Sequence, residues 1–305
     1  MPELERLVND SRLAVIGDVG GHLDSLVAQL IVLGVDVEER LVPSDLLICQ
    51  VGDLVHKGPE SAAVVALVDE LMAENPGRWI QLLGNHEAQY LPDCQQFWTP
   101  SVDEKTAQTI RRWWDNGQVR IAAAFDVIGS VGDGIAVNRC PVGELIVTHA
   151  GVTPGCWKLL GEPDSVSELV AVLNAAQSPA VWRAGTLLGG FEDMSAGPLW
   201  AVATSELYRS WALLSDEAKG LQVPAFSQAH GHTAARDWRN HRWYQPLDAY
   251  RMNGTASARA DERRRITRVQ ISDRVFFGTD PSSDATAVPV SEPLVLTIRS
   301  RELVT

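Results

Sequence analysis

The 305-residue chain has little cysteine: Cys49, Cys94, Cys140 and Cys156 are scattered, with no CxxC pair. A disulfide framework, a zinc knuckle and a thiolate-held iron–sulfur centre are all disfavoured. Positive charge is also scarce. Lys and Arg number 26 against 39 Asp and Glu, a formal net charge of −13, with a pI near 5.0. That balance lacks the footprint of a general nucleic-acid binder and opposes adsorption to anionic membranes. No apolar run approaches the ~20 residues of a membrane span. The best, Ala62 to Leu71, contains Asp69 and Glu70. The opening Met1-Pro-Glu-Leu-Glu-Arg lacks the basic and then apolar pattern of a secretory signal. Repeats, heptads and low-complexity tracts are missing too. What these exclusions leave is an acidic globular protein expected in the cytoplasm, 45% hydrophobic and long enough to bury a full core.

What is present reads as strand–loop–helix units. Arg12–Gly17, Leu46–Val51 and Trp79–Leu83 are short apolar runs of buried-strand type. Leu23–Leu33 has helical spacing, and Pro59-Glu60-Ser61 opens a helix that Asn75-Pro76-Gly77 stops. Further helices are expected over Glu87–Trp98 and Asp103–Asn116, and further strands at Ile121–Ile128, Ile135–Asn138 and Leu145–Val147. From Gly155 to Gln222 the pattern turns helix-rich, with Trp157, Trp182, Trp200 and Trp211, and reads as a cap-like insertion within one domain over residues 1–305. Those tryptophans are expected to be core more than a stacking platform. The tail from Ile266 alternates in the manner of antiparallel strands, and 252–264 and 279–288 read as polar loops. Alternating strands and helices predict an α/β layered sandwich.

Five segments share one design, an apolar run followed at once by Asp, Asn or His. They are Gly17-Asp18-Val19-Gly20-Gly21-His22, Gly52-Asp53-Leu54-Val55-His56-Lys57-Gly58, Gly84-Asn85-His86-Glu87, Thr148-His149-Ala150-Gly151 and His230-Gly231-His232-Thr233. In open α/β sheets the ligand crevice lies at the carboxyl ends of the strands, so five such tips converge. Asp, Asn and neutral His suit Zn²⁺, Mn²⁺ or Fe. A carboxylate between two cations ~3.5–4 Å apart offsets their repulsion, and Asp53 is the natural bridge. Such a pair lowers the pKa of a shared water and stabilises charge as phosphorus is attacked.

The order GD…GD…GNHE…THAG…GHT resembles the calcineurin-like metallophosphoesterases. GDLVHKG, GNHE and Pro198-Leu199-Trp200 are most similar to the phosphoprotein phosphatase branch, with its bacterial serine/threonine phosphatase and diadenosine tetraphosphatase relatives. The resemblance spans about Arg12 to Ala235. It implies a four-layer α/β/β/α sandwich and a dinuclear centre of Mn, Fe or Zn. Asp18 would bind metal one and Asp53 would bridge, with Asn85, His149 and a His of the GHT segment, His232 in preference to His230, on metal two. His86 would protonate the leaving group. Lys57 stands where the branch has a phosphate-gripping arginine, a point charge in place of a fork. Gly20 and Ala234 replace two customary histidines, which leaves His22 or His56 to complete metal one; His56, beside Lys57, is also a phosphate-binding candidate. Each residue has a plainer role open to it: a capping carboxylate for Asp18 and Asp53, a helix cap for His22, a solvated lysine for Lys57. The implied activity is hydrolysis of phosphomonoesters by metal-bound hydroxide, on phosphoserine/phosphothreonine or a small metabolite. Dinucleoside polyphosphate hydrolysis and a non-catalytic phosphate-binding module with a degenerate metal site are the alternatives.

Overall fold

A computed structural model describes residues 11–99, 102–130, 143–214, 226–245, 256–282 and 291–298. Thirteen strands are defined among them: β1 Ser11–Ile16, β2 Leu46–Gln50, β3 Trp79–Leu82, β4 Val119–Arg120, β5 Ala122–Ser130, β6 Gly143–Thr148, β7 Ser227–His230, β8 Arg236–Asp237, β9 Arg242–Trp243, β10 Ala256–Asp261, β11 Ile266–Ile271, β12 Arg274–Gly278 and β13 Leu294–Ile298. Eleven form one sheet in the order β10-β11-β12-β7-β6-β5-β13-β1-β2-β3-β4, and β8 pairs with β9 alone. Neighbours are parallel through β1-β2-β3-β4 and through β6-β7-β12. Between these runs β13 is antiparallel to both β1 and β5, with a register shift at Thr297/Ile298.

The two faces of the sheet have different partners. Leu13, Val15, Leu47, Cys49, Phe125, Val147, Phe277 and Leu296 belong to a core made, Val51 apart, entirely of strand residues. Apolar strand side chains that pack only on other strands mean that the two halves of the sheet face each other. The opposite faces carry helices and share the other large core. Helix α1, Leu23–Leu33, buries Leu26, Leu30 and Leu33 and ends on Gly34 at φ +84°. Helix α2 covers Ser61–Glu74 with Val64, Val65, Val68 and Leu71 buried. The result is the layered α/β/β/α arrangement, and none of the described helices is long and apolar enough to cross a membrane.

Three departures have local causes. The expected helix 87–98 is only the single turn α3, Asn85–Ala88. Pro92 disfavours helical backbone at Leu91, and Asp93 sits at φ +63°. Helix α4, Glu104–Asp115, begins on an Asp103 side-chain cap. Residues 256–261 are an edge strand and not a loop; β10 pairs with β11 along its whole length, although its ASARAD sequence has too few large apolar side chains to announce it. The expected strand Ile135–Asn138 lies outside the described residues, as do 252–255, 283–288 and 215–222. The described part of the 155–222 stretch holds α5 Pro154–Leu159, α6 Val166–Ala175, α7 Thr186–Gly189, a π-helical turn Ala203–Tyr208 and α8 Arg209–Leu214. Helix α6 lies on β5 and β6 as part of the outer layer.

Candidate metal centre

The carboxyl ends of six strands, three from each parallel run, carry the residues of the centre. Asp18 follows β1, Asp53 follows β2, Asn85 and His86 follow β3, His149 follows β6, His232 follows β7 and Asp280 follows β12. The tips approach closely enough to demand glycine. A Cβ on Gly231 would stand 2.1 Å from Asp18 Oδ1, and one on Gly84 would stand 2.4 Å from Asp53 Oδ1. Asp53, His56, Lys57 and His232 all hold φ between +56° and +70°, a conformation that costs L-residues energy and concentrates at functional sites. The Glu87 carboxylate holds the Asp53 loop in this shape by accepting the N–H groups of Asp53 (2.7 Å), Leu54 (2.8 Å) and Val55 (3.2 Å). Burial and the Asp53 charge push its pKa up to about 8, against the N–H groups that favour the carboxylate.

Around Asp53 the acceptors outnumber the hydrogens. His149 Nδ1 donates to the Val51 carbonyl at 3.0 Å, so in the neutral ring Nε2 is a bare lone pair. That lone pair faces Asn85 Oδ1 at 2.9 Å and Asp53 Oδ1 at 3.3 Å. Asn85 Oδ1 also lies 3.1 Å from His232 Nδ1. Ligand atoms of Asp53, His149 and His232 all fall within 4.8 Å of one another. Two buried atoms beside them, Asp18 Oδ2 and His232 Nε2, have no hydrogen-bond partner. Lys57 Nζ stands 3.9 Å from Asp18 Oδ2. Burial, then the charges of Asp280 and Asp53, raises Asp18 well above the usual carboxylate range. Burial likewise lowers the pKa of His149 and His232, which favours the neutral, metal-ligating form of each. Converging lone pairs and unpartnered buried acceptors call for a cation, and this donor set fits Zn²⁺, Mn²⁺ or Fe.

On the other side of Asp53 both ring nitrogens of His56 and Nδ1 of His86 have hydrogen-bond partners. Gln89 Oε1 accepts the N–H groups of Phe97 (3.4 Å) and Trp98 (3.1 Å), which fixes its amide so that Nε2 donates to His56 Nε2 at 3.2 Å. The Tyr90 hydroxyl meets the same nitrogen at 2.6 Å. His56 therefore carries its proton on Nδ1 and gives it to His86 Nδ1 at 2.5 Å. His86 is left with its proton on Nε2, which points at Asp53 Oδ2 from 3.8 Å. Burial first, and the neighbouring His86 second, lowers His56 to about 4.

Of the residues singled out in the sequence, Asp53, Asn85, His86, His149 and His232 meet within this cluster, and Asp18 and Lys57 adjoin it. His56 does not present a nitrogen to phosphate or metal, because His86, Gln89 and Tyr90 engage both. His22 is outside the Asp53–His149–His232 group; its Nδ1 packs where a Cβ on Gly58 would come within 2.8 Å. His230 is structural, with Nε2 on the Tyr208 hydroxyl at 2.8 Å and Nδ1 on the Gly231 carbonyl. Arg183, Arg209 and Arg236 pair with Asp193, Glu192 and Glu262 away from the centre. Sequence reasoning missed Glu87 as a loop clamp, the Gln89–Tyr90 pair and Asp280. Asp280 is buried, brought in by Thr279, whose N–H donates to the His230 carbonyl at 2.8 Å. The available signal was the apolar run RVFFG ending in Thr-Asp, the same design as the five segments already picked out.

A family model described as calcineurin-like phosphoesterase matches residues 11–175. Among solved structures, a mutant cold-active protein tyrosine phosphatase shares 13% identity, covering 97% of this chain and 81% of its own, with a TM-score of 0.46. A protein serine/threonine phosphatase from Saccharomyces cerevisiae shares 13%, covering 90% and 69%, with a TM-score of 0.45. A metallophosphoesterase from Sphaerobacter thermophilus shares 18%, covering 51% and 56%, with a TM-score of 0.28. No curated protein matches the chain.

Proposed function

The chain belongs to the calcineurin-like phosphoesterase family, and from that premise we propose that it is a metal-dependent phosphatase acting on phosphomonoesters. The observation that carries the reading is the juxtaposition just described: lone pairs of Asp53, Asn85 and His149 converge beside unpartnered Asp18 Oδ2 and His232 Nε2, with an imidazole N–H of His86 aimed at the same place. Asp18 and Asp53 would hold a first ion, and Asp53, Asn85, His149 and His232 a second. When bound, such ions supply Lewis acidity, activating water as a nucleophile and offsetting charge at phosphorus.

The chain's own groups do the rest. His86 turns its Nε2–H to the ester oxygen and, by hydrogen-bonding it, stabilises the negative charge that builds there as the bond from that oxygen to phosphorus breaks, the alcohol taking its proton from water. His56 is the positioning residue, since its Nδ1–H keeps the His86 proton on the nitrogen that faces the substrate. Lys57 offers a point charge to the phosphoryl oxygens, and the Asp18, Asp280 and Asp53 carboxylates keep it protonated by outweighing its burial. A cytoplasmic location remains our reading, on the free thiols of Cys49, Cys94 and Cys156. The test is elemental analysis combined with turnover of p-nitrophenyl phosphate and a panel of phosphorylated metabolites, peptides and nucleotides. Two ions per chain and turnover are expected. A protein that binds no Mn, Fe or Zn, or that leaves the whole panel intact when loaded, overturns the proposal.

A further inference from the structure

A cavity of about 510 Å³ reaches the candidate metal-binding group at Asn85, which lines the cavity and places its Oδ1 against His149 Nε2. Its volume lies within the range of small-molecule sites. Three tryptophans from distant parts of the chain form its walls: Trp114 at the end of α4, Trp182 before α7, and Trp200. Trp114 and Trp182 stand 5.8 Å apart with their planes at 71°, making a corner. The indole N–H of Trp182 is turned away to the Ala176 carbonyl at 3.0 Å, which fixes the ring. At the inner end Trp200 is buried, edge-on to Phe97 and to the His232 ring. The charged groups on the cavity wall are Asp93 and Asp115, and no lysine or arginine lines it among the described residues.

Each feature restricts the occupant. Two indoles inclined at 71°, Trp182 fixed by its N–H, give an aromatic ring one face to stack on and one edge to meet. Carboxylates without a cation repel further negative charge, so a polyphosphate chain has nothing to neutralise it there. The cavity's contact with Asn85 sets its occupant beside the reacting phosphoryl group. We propose that this cavity binds the alcohol part of the substrate, and that the substrate class is a phosphomonoester bearing an aromatic ring and no second phosphate. The proposal rests on the phosphatase reading above and narrows it.

The experiment compares 2-phenylethyl phosphate with ethyl phosphate on the metal-loaded protein. Both leave as primary alkoxides, so the chemistry is held constant and the ratio of their kcat/KM values reports the ring. We expect a ratio of about tenfold or more, as burial of a phenyl group supplies. Trp182→Leu removes the corner and Ala184→Trp fills the cavity from its wall without deleting a packed side chain; each brings the ratio towards one. Calorimetric affinities of 2-phenylethylphosphonate and ethylphosphonate give a second ratio that needs no turnover. A wild-type ratio near one by both measures, or a ratio that survives both substitutions, overturns the proposal and leaves the phosphatase reading standing. Failure to hydrolyse either ester overturns the phosphatase reading instead, while the phosphonate ratio still decides the cavity.

Discussion

Two groups of histidines sit on opposite sides of Asp53, and they are built on opposite rules. His149 and His232 face acceptors, with lone pairs set against lone pairs and the His232 Nε2 atom unpartnered. His56 and His86 form a chain in which every nitrogen either donates or accepts, running from Gln89 and Tyr90 to a single outward N–H. On the proposed function, the same side chain would serve as a ligand in one group and as a directed N–H in the other. What separates the roles is the partner on the far nitrogen. A backbone carbonyl holds the proton of His149 on Nδ1 and leaves Nε2 bare, whereas a neighbouring imidazole N–H fills the lone pair of His86 Nδ1 and leaves Nε2 protonated.

This contrast can be broken most severely at Asp53, which touches both groups. Asp53→Asn is expected to lower kcat/KM on the order of a thousandfold. It should also abolish the stabilisation by saturating Mn²⁺, about 5 °C in Tm for the unaltered protein, which calorimetry would read. An unaltered metal response in this variant would place the ions elsewhere. His86→Asn should cut turnover of alkyl phosphates by about a hundredfold or more. It should leave p-nitrophenyl phosphate much less affected, because nitrophenolate departs without a proton. Equal losses on both esters would deny His86 its role at the leaving oxygen.

The positioning residues come next. His56→Ala should cost about tenfold on alkyl phosphates, and Tyr90→Phe about three- to tenfold, the worth of one ordinary hydrogen bond. Metal content by elemental analysis should stay that of the parent in both; a lost ion in His56→Ala would return His56 to the ligand set. The smallest effect is expected at His22→Ala, whose ring packs against Gly58 outside the metal-binding group. Its metal stoichiometry should equal that of the parent, and loss of one ion per chain would sink this placement.

The tips at Asp18, Asp53 and Asn85 were legible because each obeys a local rule, an apolar run, then glycine, then a donor, and His149 follows its apolar run and Thr148 directly. Helix α1 was legible with its limits, Leu23 and Leu33, because its apolar spacing is set within one element. What stayed hidden depends on partners far along the chain. Asp280 reaches the centre only because β12 lies parallel to β7, and Thr-Asp-Pro-Ser-Ser-Asp read alone is a polar loop. The protonation of His86 follows from how Gln89 is held by Phe97 and Trp98, a stretch that periodicity reads as helix. His56 was visible at once as a candidate for metal or phosphate, yet its engagement of His86 instead required the fold.

The position of β13 has a consequence for how this molecule is made. It is the last strand described, yet it lies in the middle of the sheet, hydrogen-bonded to β1 on one side and β5 on the other. While the polypeptide emerges from the ribosome, both of those neighbours keep an unpaired edge until residues 294–298 have been synthesised. The two halves that bear the catalytic tips are thus locked together by a late and highly non-local event, and substitutions such as Leu296→Asp should be felt first as poor yield of soluble protein.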